Sequence, residues 1–273
     1  MNAPYAVADF TPPPPMPLAR RARIYLVEAR TELLKVIRLP AYAIPTIAFP
    51  PLFYILFGLS FGGSRSVGPS MTVATYMMAT YGAFGVMGAA LFGFGVGVAI
   101  ERGQGWMLVK RATPMPVAAY FAAKMAVSVV FGAAIVAILF ALGAGFGGVQ
   151  LPALTWLVLA GTLVAGALPF CAFGLFLGYL AGPNSAVPIV NLIYLPISFA
   201  SGLWMPLRLL PGFFQKLAPW LPPYHYGQLA LKTIGADAGG DLATHVAALA
   251  LFTAACLAGA AALYRRDEGK TWG

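Results

Sequence analysis

Long apolar stretches alternate with short polar segments along most of this chain. Six of these stretches reach the roughly 20 residues that a helix needs to cross a bilayer. They lie at about residues 41–61, 71–100, 117–146, 151–181, 184–205 and 242–264. Only Gly182 and Pro183 separate the fourth stretch from the fifth, which predicts a tight turn between two helices. The pattern therefore predicts an all-α membrane protein with six transmembrane helices.

In residues 20–38, apolar and charged side chains recur with the period of a helix, and there is no continuous apolar run. Such a helix is expected to lie in the membrane interface, either as a simple anchor or as a functional element. Its apolar face holds Ala22, Tyr25, Leu26, Ala29, Leu33, Val36 and Ile37, and its charged face holds Arg21, Glu28, Glu32, Lys35 and Arg38. Because Val27 and Leu34 fall outside the apolar face, we expect protein to cover part of the opposite side.

The segment between the fifth and sixth runs, residues 206–241, is apolar and aromatic but broken by prolines. Those prolines exclude one continuous span. They are Pro206, Pro211, Pro219, Pro222 and Pro223. We predict short re-entrant helices here, such as 212–220, that dip into the outer leaflet and are covered by protein.

The composition excludes a soluble globule. Hydrophobic residues make up 60% of the chain and charged residues only 9%, with a mean hydropathy of +0.81. Soluble domains carry about 25% charged residues. One transmembrane domain over residues 18–267 is expected, between a disordered proline-rich tail at 1–17 and a short tail at 268–273.

The net charge of +9 reflects membrane topology, and we expect no nucleic-acid partner. Thirteen of the 17 Lys and Arg residues lie on one side of the predicted spans. The other four are Arg65, Arg208, Lys216 and Lys232. Since basic residues concentrate on the cytoplasmic side, the bias predicts a bacterial inner-membrane protein with both termini in the cytoplasm.

No constellation in the sequence indicates catalysis or metal binding. His225 and His245 have only Asp237 and Asp241 as acidic neighbours on their side, and structural hydrogen bonding is the favoured interpretation of both. The predicted spans contain no Asp or Glu apart from one glutamate at a border. This argues against an intramembrane hydrolase and against a proton- or sodium-coupled carrier, which places ionisable groups at mid-membrane.

The loop at residues 101–116, ERGQGWMLVKRATPMP, carries the most specific signal. It resembles the ATPase-coupling loop of type-2 ABC exporter permeases (the ABC-2 family). The matching residues are Glu101, Arg102, Gly105, Trp106, Lys110, Arg111, Thr113 and Pro114. Gly103 departs from the pattern, because the family usually has an acidic residue there.

A second match lies at the end of the fifth run and beyond. Ser201-Gly202, Met205-Pro206, Leu210-Pro211 and Pro222-Pro223 resemble the family's passage from its fifth span into outer re-entrant helices. With the interfacial helix and the six spans, the resemblance covers about residues 20–265.

The resemblance implies a permease that is not itself catalytic. Its partners would be two copies of a cytoplasmic ABC ATPase, a second permease protomer, expected to be identical, and membrane lipids. The sequence has no G-x-x-x-x-G-K-[ST] phosphate loop, so ATP and Mg²⁺ are expected on a separate ATPase and no cofactor or metal in this chain.

The family also implies a translocation path beside the fifth span. Its candidate residues here are Asn191, Tyr194, Ser198 and Ser201, and plain helix packing is the alternative interpretation for each of them. The expected substrate is hydrophobic or amphipathic, such as a drug-like molecule, a lipid or a glycolipid, moved outward. Two alternatives stay open: a permease for lipid-linked polysaccharide, and a channel or membrane-assembly protein that has no ATPase.

Small-residue pairs recur at helical spacing, as Gly93-x-x-x-Gly97, Gly174-x-x-x-Gly178 and Gly178-x-x-x-Gly182. Such pairs let helix backbones approach closely in lipid. Packing within the chain is the favoured interpretation, and contact between protomers is the alternative.

Overall fold

The computed structural model describes residues 16–62, 66–68, 71–113 and 115–268. Residues 1–15 of the predicted tail, Arg65, Pro114 and residues 269–273 lie outside this part of the chain. The α-helices of the described residues are α1 (Leu18–Ile37), α2 (Pro40–Phe53), α3 (Val73–Ala90), α4 (Gly97–Gly103), α5 (Trp106–Arg111), α6 (Val117–Gly145), α7 (Ala153–Ala165), α8 (Ala167–Leu180), α9 (Ala186–Ala200), α10 (Gly212–Leu217), α11 (Pro222–Thr233) and α12 (Leu242–Glu268).

Five helical stretches in the described part are long and apolar enough to cross a membrane. They are Pro40–Ser60, Val73–Gly103, Val117–Gly145, Ala153–Leu180 and Leu242–Arg266. The second is continuous because a π-helical segment, Leu91–Val96, joins α3 to α4. Similarly, a π-helical segment at Tyr54–Gly62 extends α2. The prediction of a multi-pass helical membrane protein is confirmed.

The structure does not bear out the count of six spans. The fifth predicted run, 184–205, forms only the 15-residue helix α9. At about 1.5 Å per residue it is roughly 22 Å long, less than the ~30 Å of a hydrocarbon core. The run looked longer because it stays apolar after the helix ends, where Gly202 takes a positive φ of 76° and Leu203 is buried without being helical.

The helix α3 occupies the centre of the bundle. Every residue from 74 to 90 is buried, so this helix is enclosed on all sides by α2, α6, α8 and α11. A helix that is apolar all round is expected in such a position. Close approach depends on its glycines: a Cβ on Gly82 would lie 2.7 Å from Leu163, and one on Gly85 would lie 2.7 Å from Pro50.

Of the small-residue pairs predicted to pack within the chain, Gly174-x-x-x-Gly178 lies against the backbone of a neighbouring span. A Cβ added to Gly174 or Gly178, both in α8, would meet backbone atoms of Gly95 at 3.1 and 2.9 Å. Gly95 lies in the π-helical segment of the second span. This places α8 backbone-to-backbone against that span, as the motif predicts for helices in lipid.

A short antiparallel pair of strands is the exception to the all-α prediction. β1 (Ser66–Gly68) pairs with β2 (Met71–Thr72) directly before α3. The Thr72 hydroxyl then accepts a hydrogen bond from the backbone N–H of Thr75 and caps α3.

The interfacial helix predicted at 20–38 is present as α1, and protein covers part of the side opposite its apolar face, as expected. Val27 and Leu34 themselves are exposed, together with Leu26 and Ile37. The buried side is the charged one, where Glu32 has 6% of its surface exposed. The helix turns its acidic residues toward the bundle because basic partners lie there, and it leaves apolar side chains for lipid.

The segment after α9 folds into short helices, as predicted. The helix predicted at 212–220 is present as α10 followed by a 3₁₀ turn at Ala218–Trp220. Helix α11 packs against the middle of the fourth span, where the Tyr226 hydroxyl donates to the carbonyl of Leu163 at 2.6 Å. Its ring fills the space beside Gly166, where a Cβ would lie 1.9 Å from the ring. The fourth span therefore breaks at Gly166 to admit this tyrosine.

The side on which α10 lies can be tested by labelling. We expect Gly212→Cys, in intact cells, to react with a membrane-impermeant maleimide added outside, because the predicted topology places residues 206–241 on the outer side and a Cβ at position 212 meets nothing within 4 Å. A cysteine at Gln104, in the loop before α5, serves as the matched inward control. Labelling of the Gln104 variant but not of the Gly212 variant from outside would reverse the topology.

Candidate functional site

The loop that resembles a coupling element is a short helix held between two spans. The chain leaves α4 through a turn at Gln104 and Gly105, and Gly105 has a φ of 76°, a conformation that favours glycine. Helix α5 follows, and the Thr113 hydroxyl donates to the carbonyl of Lys110 at 2.7 Å. Trp106, at the start of α5, is 52% exposed. Among the described residues of the predicted signature, Trp106 and Thr113 are thus the exposed ones.

Glu101 lies inward, in a buried cluster of charges that we call the ion cluster: Glu32, Lys35, Glu101 and Lys124, with Tyr120. The Lys124 ammonium donates to Glu32 Oε1 at 2.6 Å and to Glu101 Oε1 at 3.0 Å. The Tyr120 hydroxyl donates to the other Glu101 oxygen, Oε2, at 2.6 Å. Only 3% of the Lys124 surface is exposed. The ion cluster therefore joins α1, α4 and α6 by charge-assisted hydrogen bonds.

Lys35 is the member of the ion cluster that reaches the surface. Its ammonium donates to both oxygens of Glu32, at 3.0 and 2.9 Å, and also to Glu101. Burial disfavours its charged form, but the hydrogen bonds and charges of Glu101 and Glu32 outweigh that effect, so the pKa of Lys35 is raised. Lys35 is accordingly cationic at neutral pH, and the ion cluster holds two carboxylates and two ammonium groups.

A second ion pair fastens α5 to α1. The Lys110 ammonium lies 2.5 Å from Glu28 Oε1 and 4.2 Å from the centre of the Tyr120 ring. Both side chains of the pair are largely buried. The side chain of Arg111, the other basic residue of the predicted signature, lies with Pro114 outside what the structure describes.

Arg102 and Gly103 connect the same loop to the other side of the bundle. The Arg102 guanidinium donates to the carbonyls of Tyr179 and Ala181, at 2.6 and 2.9 Å, where α8 ends. Gly103 lies against Pro183 in the turn before α9, and a Cβ there would approach the proline ring to 2.5 Å. A larger, acidic side chain at position 103 would therefore collide with Pro183, which explains why this chain has glycine there.

The sequence did not predict the ion cluster. In the sequence, Lys124 is one of the positive charges near the loop, and Glu32 lies on the charged face of the predicted interfacial helix. The available signal was Lys124 itself, seven residues into an otherwise apolar run. A lysine in a span usually faces the bundle interior and pairs with an acidic group, and Glu28, Glu32 and Glu101 were the nearby acidic candidates.

The four residues proposed for a translocation path lie on or just after α9. Tyr194 is buried, stacks on Phe84 with ring centres 4.8 Å apart and donates to the carbonyl of Phe84 at 3.0 Å. Ser198 is buried and accepts a hydrogen bond from the Trp204 indole at 2.9 Å. Ser201 is buried, and its hydroxyl has no hydrogen-bond partner among the described residues. Asn191 is half-buried.

The two histidines meet at the start of α12, with their Nδ1 atoms 2.9 Å apart. His225 Nε2 donates to the carbonyl of Pro219 at 3.0 Å. Burial and the neighbouring His245 ring lower the pKa of His225. The predicted structural role fits these contacts. Within the described residues, no group of three or more His, Cys, Asp or Glu could hold a metal ion.

Comparison with known proteins shows the family to which the chain is similar. The model of the family described as ABC-2 type transporter matches residues 25–234. A protein of Bacillus subtilis (strain 168) named "Putative transport permease YvfS" is 29% identical over 203 residues. The similarity covers 74% of this chain and 82% of that protein.

Proposed function

This chain belongs to the ABC-2 type transporter family, and from that membership we propose that it is the membrane-spanning permease subunit of an ATP-driven exporter. The observation that carries the proposal is the short helix α5, presented between two spans and tied to three neighbouring parts of the bundle. A separate ABC ATPase, in two copies, would bind α5 and supply ATP and Mg²⁺. The permease itself performs no covalent chemistry.

The contacts around α5 support a role in transmitting movement. The exposed Trp106 offers an aromatic anchor of the kind that dominates binding energy at protein interfaces. Lys110 pairs with Glu28, so a displacement of α5 acts on α1. Glu101 and Arg102, at the end of the second span, carry the same displacement to α6 and to the end of α8.

We place the translocation path along α9, near Asn191, Tyr194, Ser198 and Ser201. The unpartnered Ser201 hydroxyl supports this position, because a buried hydroxyl without a partner is unfavourable unless another molecule completes its bonding. The substrate would be a hydrophobic or amphipathic molecule that moves between two identical protomers. The charge bias of the sequence favours the bacterial inner membrane, with α1 and α5 in the cytoplasm.

Transport in reconstituted vesicles tests the function. Vesicles that contain the permease and its partner ATPase should export substrate with ATP alone, after ionophores have collapsed the membrane potential and ion gradients. Export that stops on collapse while ATP remains would show an ion-coupled carrier. Transport of substrate across vesicles that contain the permease but no ATPase would show that the protein is a channel.

The docking role of α5 can be separated from its internal contacts. We expect Trp106→Ala to lower ATPase co-purification about tenfold, the typical effect of losing one interface anchor. Lys110→Glu should also lower it, whereas the double variant Lys110→Glu/Glu28→Lys restores the internal ion pair with reversed polarity. If the ATPase contacts the positive charge of Lys110 directly, the double variant still co-purifies less ATPase than the unmodified protein.

Val117→Ala, at the exposed start of α6, provides the control for these variants. Full recovery of ATPase binding in the double variant, together with undiminished binding by Trp106→Ala, would mean that α5 has only an internal structural role.

A further inference from the structure

A pocket of about 610 Å³ lies between α1, the second span and α6, and it is open on part of its surface. Pockets that hold drug-sized ligands commonly measure about 300–1,000 Å³. The ion cluster forms one of its walls, and Trp106 and Gln104 lie at its edge. Its lining includes the Lys110–Glu28 pair that fastens α5 but no residue of α9.

The lining of the pocket changes from apolar inside the spans to charged at their ends. On the second span, Phe92 and Val96 come before Glu101 and Gln104. On α6, Val127 lies further into the span than Lys124. The pocket thus has an apolar inner part and a charged outer part, which is the gradient that an amphipathic molecule needs in order to bind with its head at the end of the spans.

The charges in the pocket are balanced. Its lining contains three carboxylates, Glu28, Glu32 and Glu101, and three ammonium groups, Lys35, Lys110 and Lys124. An anion or a cation would leave the site with a net charge in a partly desolvated space, which is unfavourable. A zwitterion keeps the site neutral while it contacts both signs.

The surroundings identify the source of such a zwitterion. Leu26, Val27, Leu34 and Ile37 of α1 are exposed apolar side chains on the helix that forms one pocket wall. A helix with this pattern lies in the headgroup region of a bilayer. The molecules that reach the opening are therefore the phospholipids of the adjacent leaflet.

We propose that this pocket binds one zwitterionic phospholipid with an aminated headgroup, such as phosphatidylethanolamine. One acyl chain lies against Leu39, Phe92, Val96 and Val127. The phosphate lies near the exposed edge of Lys35, and the ammonium group lies near Glu28. The lipid touches both α1 and the second span, so its presence holds the interfacial helix at a fixed distance from the bundle. This site exists whether or not the chain exports anything.

Native mass spectrometry of the full-length protein tests the proposal. The protein is equilibrated with vesicles of equal phosphatidylethanolamine and phosphatidylglycerol and then extracted in mild detergent. We expect one phosphatidylethanolamine per protomer. Leu39→Trp fills the apolar part and should reduce retention about tenfold. Ile37→Trp, at a similarly exposed position of α1 outside the pocket, should retain the lipid.

The headgroup preference has its own test. Glu28→Gln removes one carboxylate, which gives the lining a net positive charge, so retention should shift from phosphatidylethanolamine to phosphatidylglycerol. Preference of the unmodified protein for phosphatidylglycerol, or equal retention by Leu39→Trp and Ile37→Trp, would overturn the proposal.

Fluorescence gives a measurement that needs no extraction. In a variant that keeps Trp106 and replaces the other tryptophans with phenylalanine, we expect brominated phosphatidylethanolamine in vesicles to quench more strongly than brominated phosphatidylglycerol. Equal quenching by both lipids would mean that Trp106 contacts only the general bilayer, and the proposed site would be wrong.

Discussion

Replacing Lys124 with methionine should lower the free energy of unfolding by about 3–5 kcal/mol, the usual effect of removing one partner from a buried ion pair. Methionine fills nearly the same volume, so little of the effect would come from packing. The loss arises because the ammonium group neutralises both Glu32 and Glu101, which stay buried after the substitution. With only Lys35 to pair them, one carboxylate charge is left uncompensated. Unfolding by SDS titration in mixed micelles measures the change.

Lys35→Met is the matched control. Its side chain is 45% exposed, so water can replace its contacts, and we expect a destabilisation well below that of Lys124→Met. Lys124→Met combined with Glu101→Gln should recover part of the loss, because the number of buried carboxylates falls with the number of ammonium groups. Equal effects of the two lysine variants would show that burial does not determine the strength of the ion cluster.

Gly178→Val should destabilise the protein by about 1–3 kcal/mol, the cost commonly found when a well-packed interior is overfilled. A Cβ at this position would lie 2.9 Å from the carbonyl oxygen of Gly95 and 3.0 Å from Val98. The first of these atoms belongs to backbone, which cannot turn away as a side chain can. Helix α8 would therefore have to move away from the second span.

Gly161→Val supplies the comparison, because this glycine lies in the same span and a Cβ there meets nothing within 4 Å. Both substitutions make the same change of residue within a helix, so the difference between them reports the helix contact alone. We expect thermal unfolding in detergent to be unchanged for Gly161→Val and shifted down for Gly178→Val. Equal shifts would mean that intrinsic helix preference, rather than contact with Gly95, explains the effect.

The spans could be predicted because apolar length is a property of the sequence alone. The same measure failed for α9, since residues 201–205 are apolar for a different reason: Leu203 and its neighbours are buried by the fold in a non-helical turn. Hydropathy records that a residue avoids water and does not record whether its backbone is helical. The short strands before α3 escaped notice because paired segments of three and two residues carry no periodic pattern.

The candidate site was only partly predictable. Its position in the loop at 101–116 followed from the motif, and the positive φ of Gly105 fits the glycine there. Which side chains face the bundle did not follow. Pairing of Lys124 with Glu101 and Glu32 depends on how α1 and α6 pack around the end of the second span, and such long-range contacts leave no regular spacing in the sequence. The glycine at position 103 could not be explained from the sequence either, because the residue that leaves no room for a side chain there is Pro183, 80 positions further along the chain.

Three consecutive residues at the end of α4 each attach to a different part of the molecule: Glu101 to the ion cluster, Arg102 to the carbonyls that end α8, and Gly103 to the turn before α9. These three attachments prevent the end of α4 from moving independently of the helices around it. Force applied to α5 would reach several helices at once and would not bend the nearest one alone. In the proposed dimer, the membrane part of each protomer is therefore expected to tilt as one rigid body, and the substrate path would open between the two protomers.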